Sequence, residues 1–158
     1  MGKRFKYRSV AVGGTFDHLH AGHVALLKRA FETGDRVFIG LTSDDFAARA
    51  GKRIDGDFEK RKRELESFLG TEFPNRSYAI SRLDKDFGAG IFTPEIEAVV
   101  VSSETLPKIP RANEKRRKLG LPDLGVETVQ LKLARDGGRI SSTRIRNGEI
   151  DSEGNLRS

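Results

Sequence analysis

The chain reads as an α/β protein: a Rossmann-like, doubly wound sheet of about five parallel strands with helices on both faces. Two observations predict this. Short β-branched runs alternate with segments whose apolar residues recur at helical spacing, and the run Ala98-Val99-Val100-Val101 lacks the polar alternation of a half-exposed strand. Length and composition agree, because 158 residues suffice for one core and the absence of cysteine excludes disulfide scaffolds, thiolate metal sites and cysteine nucleophiles. Residues 1–158 are expected to form one domain ending in a polar, frayed tail over 151–158.

The first strand is read from the apolar run Ser9 to Gly13, followed by the turn Gly14-Thr15-Phe16-Asp17. Val24, Leu27 and Phe31 then share one face of a helix starting near Ala21. Arg36 to Leu41 predicts a second strand, after which Ser43 or Asp44 caps a short helix that Gly51-Lys52-Arg53 ends. From Asp57 to Leu69 the apolar Phe58, Leu65, Phe68 and Leu69 lie on one side and lysines and arginines cover the rest, the pattern of an exposed helix. Ser77 to Leu83, Glu97 to Ser102 and Val126 to Leu133 predict the third, fourth and fifth strands, and a basic helical segment ending near Gly120 joins the last two. Gly88-Ala89-Gly90 has neither the preceding strand nor the third glycine of a dinucleotide loop and reads as a plain loop.

The formal charge of +6 attracts polyanions, either nucleic acid or small phosphorylated molecules. The run Lys115-Arg116-Arg117-Lys118 reads as a solvated helix face rather than as a nucleic-acid surface. No apolar run approaches the length of a membrane span, and the basic stretch Met1 to Ser9 lacks a hydrophobic segment, so a cytoplasmic protein without membrane contact is expected.

Two constellations carry chemistry. In an open parallel sheet the loop after the first strand lies at the ligand crevice, and here it contains all three histidines of the chain, His18, His20 and His23. Gly13 and Gly14 allow close backbone approach to a phosphate, and the helix beginning near Ala21 turns its free N–H groups and positive dipole end toward the same place. His20 and His23, three residues apart at a helix start, project to one side with Gly22 leaving space beside them. The segment does not supply the further ligands a metal site needs, so no protein side chain is expected to hold a metal. The second constellation is Ile140-Ser141-Ser142-Thr143-Arg144-Ile145-Arg146, after Gly137-Gly138-Arg139. Arginines in a first helical turn repel the dipole unless something negative sits there, and Ser142, Thr143 and Arg146 share a face that converges on one phosphate.

These turns resemble the signatures of the nucleotidyltransferase superfamily, HxGH in His20-Ala21-Gly22-His23 and ISSTxxR in Ile140 to Arg146. Within it, Gly13 to His23 followed by Leu26-Leu27 is similar to the phosphopantetheine adenylyltransferases of the archaeal and eukaryotic type. The likeness continues through Val101-Ser102-Ser103-Glu104-Thr105 and Arg146-Asn147-Gly148-Glu149-Ile150-Asp151.

The resemblance implies transfer of AMP from ATP to 4'-phosphopantetheine, with Mg2+, giving dephospho-coenzyme A and pyrophosphate in coenzyme A synthesis. It assigns His20 and His23 to the ATP phosphates, with His23 the main stabiliser of the transition state, and Gly14 and Gly22 to the ATP-binding turn. Ser142, Thr143 and Arg146 would hold the outer phosphates, Thr15 and Phe16 would touch both substrates, and Lys52, with Arg53 as the alternative, would meet the acceptor phosphate and the α-phosphate. Bacterial members carry a substrate-binding arginine just after the fourth strand, where this chain has Ser102 to Thr105. A monomer is favoured. The alternatives are a cytidylyltransferase or flavin adenylyltransferase, against which Ser-Ser-Thr and the Gly-Gly before Thr15 argue, and, more remotely, a basic nucleic-acid-binding protein.

Overall fold

The computed structural model describes residues 5–85, 88–103 and 105–129. Its elements are β1 (Tyr7–Gly14), α1 (Ala21–Thr33), β2 (Gly34–Thr42), α2 (Asp44–Arg49), α3 (Phe58–Glu72), β3 (Ser77–Leu83), β4 (Ala98–Ser102), α4 (Ile109–Lys118) and β5 (Gly125–Val129). The strands form one sheet in the order β3-β2-β1-β4-β5, with every pairing parallel. The chain winds outward from β1 in one direction through β2 and β3, then crosses back to build β4 and β5 on the other side. The switch point therefore lies between the carboxyl ends of β1 and β4, where ligands bind in such sheets.

Alternate residues of β1 and β4 enter separate cores, which is the physical content of the unbroken apolar runs. Val10 and Val12 of β1, Val37 and Ile39 of β2 and Ala98 and Val100 of β4 pack with Leu27 and Phe31 of α1 and Leu65 and Leu69 of α3. Ala11, Val99 and Val101 face the other way, onto Ile109 and Ala112 of α4 with Ile91, Ile96 and Leu124. Each fully buried branched or aromatic side chain contributes about 1.5–3 kcal/mol relative to exposure.

Element boundaries differ where pairing outruns hydrophobicity. β1 and β2 are longer than their apolar runs because the ladder continues from Tyr7 opposite Gly34 to Gly14 opposite Leu41. Helix α1 passes into β2 without a loop, and Gly34 makes this possible: a Cβ there would stand 2.7 Å from a Val10 methyl. The stretch around Gly88-Ala89-Gly90 includes a 3-10 turn over Ala89–Phe92. The expected fifth strand is present as Gly125–Val129, and its anticipated continuation to Leu133 lies outside the described residues.

Two readings of charge are corrected. Helix α3 is not covered by solvated cations all round its polar side, because Arg61 is fully buried. Nor is the run 115–118 wholly a solvated face. Arg116 is 2% exposed, and its guanidinium donates to the carbonyls of Thr93 (3.2 Å), Ile91 and Pro122, stitching α4 to the segments before and after it. In both cases a guanidinium satisfies main-chain acceptors that loops bring into the interior, a task the charge pattern along the sequence does not reveal.

Candidate active site

The site is built at the carboxyl end of β1. Gly14 ends the strand, the loop 15–20 follows, and His20 is the N-cap of α1 in an extended backbone conformation. The two histidines replace the usual Ser and Glu of a capping box. His20 Nδ1 accepts the Gly22 N–H at 3.1 Å, and His23 Nδ1 accepts the His20 N–H at 3.3 Å. Each Nδ1 is thus an acceptor, so in the neutral rings the hydrogen resides on Nε2. The imidazoles stack with centroids 3.8 Å apart, and the His23 ring also lies 5.2 Å from that of Phe16.

This enclosure decides the charge state. Burial, then the neighbouring His20 and Lys52, push the His23 imidazole down to about 3. It is therefore a neutral N–H donor at physiological pH. The first turn of α1 contains no acidic residue, whereas α2 begins with Asp44 and Asp45 and α3 has Asp57 as its cap and Glu59 in its first turn. The positive end of the α1 dipole is left for an anion.

Loop 15–18 is held in an uncommon conformation. Phe16 (φ 50°) and His18 (φ 51°) lie in the left-handed region, which costs a residue with a Cβ roughly 1–2 kcal/mol unless its surroundings fix it. Asp17, 4% exposed, accepts the N–H groups of Asp55 (2.9 Å) and Gly56 (3.3 Å). His18 Nε2 meets Asp55 Oδ2 at 2.5 Å. Arg61 donates to the Thr15 carbonyl at 2.9 Å and, 2.9 Å away, to that of Gly56. The histidine loop and the α2–α3 connection are thereby one unit.

Of the residues singled out from the sequence, Gly14, Thr15, His20, Gly22 and His23 share this loop and helix start, and Lys52 is exposed on the α2–α3 connection, near enough for its charge to act on His23. Arg53, beside it, is exposed too. Phe16 belongs to the same loop and is fully buried, its ring 3.4 Å from where a Gly14 Cβ would stand, so its side chain supports the loop. Ser142, Thr143 and Arg146 lie outside the described residues. Asp17 and Arg61 were missed. A signal for Arg61 existed, because it precedes Leu65 and Leu69 by one and two helical steps of four and so belongs to their buried face. Asp17 gave none, since its partners are 38 and 39 residues away.

Among the described residues, Asp17, His18 and Asp55 are the group whose ligand atoms come close enough together to suggest a cation. The donor set does not suit Mg2+, which demands octahedral oxygen ligation, because one ligand would be an imidazole and the Asp17 oxygens already accept main-chain N–H groups.

A family model described as cytidylyltransferase-like matches residues 11–148. The chain is 44% identical over 151 residues to a phosphopantetheine adenylyltransferase of Methanothermobacter thermautotrophicus, covering 96% of this chain and 90% of that one. It is 43% identical to the enzyme of the same name from Methanopyrus kandleri, covering 92% of each. Among solved structures, a protein of unknown function from Archaeoglobus fulgidus superposes with a TM-score of 0.70 at 30% identity, covering 84% of this chain and 99% of that one. A stacked-histidine cap at the switch point of a parallel sheet, within a chain this similar to named enzymes over nearly its whole length, establishes that the protein belongs to the phosphopantetheine adenylyltransferase family of cytidylyltransferase-like nucleotidyltransferases.

Proposed function

We propose that the chain transfers AMP from ATP to 4'-phosphopantetheine, forming dephospho-coenzyme A and releasing pyrophosphate. One observation carries the reading: a pair of stacked histidines, His23 held neutral, caps a helix start that lacks acids and lies within the field of Lys52.

An oxygen of the acceptor's phosphate attacks the α-phosphorus of ATP, a new P–O bond forms, and the bond from the α-phosphorus to the bridging oxygen of pyrophosphate breaks. The acceptor is largely dianionic at neutral pH, its second ionisation lying near ~6, so no general base is needed. The barrier is electrostatic, because a dianion must approach a polyphosphate and charge then builds on the α-phosphate and the leaving group. Neutral His23 answers this with an Nε2–H bond to an α-phosphate oxygen, and no proton has to leave it. His20 and the N–H groups of the first turn of α1 receive the outer phosphates, and Lys52 draws the acceptor phosphate in. Ser142, Thr143 and Arg146 complete the grip on the triphosphate. Mg2+ enters as part of the ATP substrate.

The nucleic-acid alternative is weakened by what the basic run of α4 does. Arg116 is buried, Arg117 pairs with Asp123 at 2.6 Å, Lys118 with Glu114 at 3.7 Å, and Lys115 lies 4.3 Å from the Phe92 ring centre. No helix among the described residues is long and apolar enough to cross a membrane, and the cytoplasm is the proposed site of action. Pyrophosphate release, measured with ATP or CTP against 4'-phosphopantetheine, flavin mononucleotide and phosphocholine, tests the reading. Rapid release with ATP and 4'-phosphopantetheine alone is the expected result, and preference for any other pair overturns it.

A further inference from the structure

We propose that Arg61 is a positioning residue for the transfer: its single guanidinium sets the span between His23 and Lys52, and with it the alignment of the acceptor phosphate on the α-phosphorus. The proposal rests on the reading just given of those two side chains. Arg61 has no solvent exposure, yet it sits next to the site at the point where four segments meet. Nε donates to the Gly56 carbonyl at 2.9 Å, Nη1 to the carbonyls of Thr15 (2.9 Å) and Thr42 (2.8 Å), and Nη2 to Asp44 Oδ1 at 2.7 Å. These acceptors belong to the histidine loop, the carboxyl end of β2, the first turn of α2, and the α2–α3 connection that carries Lys52.

The arrangement requires arginine. Only a planar fork of donors reaches several carbonyls in fixed directions at once, and lysine, a point charge on a flexible stem, keeps the charge but loses the geometry. Asp17 ties the same two loops from the other direction through the Asp55 and Gly56 N–H groups. Lys52 follows α2 by three residues and precedes Gly56 by four, so it is suspended between two segments that both end on Arg61. Misplacement of reacting groups by an ångström is enough to cost about 10²-fold in rate.

The test is a double-mutant cycle on the full chain, with kcat and KM for ATP and 4'-phosphopantetheine measured on protein shown to be folded by circular dichroism. Arg61→Lys is expected to lower kcat by about 10²-fold while moving each KM less than about threefold. Lys52→Ala, which should cost about 10²-fold in the wild type, is expected to cost less than about threefold in the Arg61→Lys background, because the lysine is no longer aligned there. A purely structural arginine gives additive losses, or an unchanged kcat per folded molecule, and either result overturns the proposal. If Arg61→Lys does not fold, Asp44→Asn decides in the same cycle, its side chain being half-exposed: coupling to Lys52 beyond about threefold supports the proposal and additivity overturns it. Amide exchange at Asp55 and Gly56 in the ligand-free protein separates the two claims. Protection lost in Arg61→Lys while the wild type makes no dephospho-coenzyme A sinks the functional reading and leaves Arg61 as the residue that joins the loops. Protection unchanged sinks the positioning role.

Discussion

At the scale of single residues, the site depends on an imidazole that stays uncharged. Burial first, then His20 and Lys52, bring His23 down to about 3. In the unfolded chain it titrates near ~6.5, so between those values the unfolded state binds the extra proton. The contribution to stability is complete above about pH 6.5 and is lost as pH falls toward 3. The measurement is the urea midpoint of wild type and His23→Gln from pH 7 to pH 4. The wild type is expected to lose stability more steeply on acidification, and parallel curves would show that the ring titrates normally. Histidine spacing was readable from the sequence because residues three apart at a helix start must share a side. The neutral state was not, since it comes first from burial of the ring, with Phe16 packed beside it, and then from His20 and from Lys52 on another loop.

At the scale of elements, the caps and straps around α2 and α3 hold the α2–α3 connection against the histidine loop. Asp57 caps α3 through the Lys60 N–H at 2.8 Å and is exposed, so Asp57→Ala removes a cap and little else. A loss of about 1 kcal/mol in denaturant unfolding is expected, with turnover unchanged. Asp17 differs because it is buried. Asp17→Ala leaves the Asp55 and Gly56 N–H groups without their carboxylate and is expected to cost roughly 1–3 kcal/mol together with a fall in turnover, so the pair of variants separates helix capping from loop strapping. The start of α3 was legible to within one residue, although the helix runs on to Glu72 past the expected Leu69, and β3 spans the expected Ser77 to Leu83, because hydrophobic period and cap residues are local signals. The straps were not predicted, because Asp17 and Arg61 reach across to other segments, up to 39 and 46 residues away, and use charged side chains that composition assigns to the surface.

At the scale of the molecule, the two halves of the winding are tied together across the sheet. Glu127 of β5, 5% exposed, accepts from Lys6 at 2.7 Å and from Arg29 of α1 at 2.7 Å. The Lys6 hydrogen bond, followed by that of Arg29, holds its carboxyl below the usual glutamate value despite burial. This contribution is present above about pH 4.5 and lost as pH falls through the lowered folded-state value. Because Lys6 and Arg29 are 61% and 44% exposed, Glu127→Gln is expected to cost only about 1 kcal/mol at pH 7 by thermal melting, with the difference fading in acid. The parallel sheet and its switch point followed from alternating strand and helix patterns, and they set the first histidine turn where a triphosphate would enter. Turnover of His23→Ala with saturating ATP and 4'-phosphopantetheine tests that arrangement most directly. A loss of about 10²- to 10³-fold, equal to one removed donor at developing charge, is the predicted result, and near-normal turnover would contradict it.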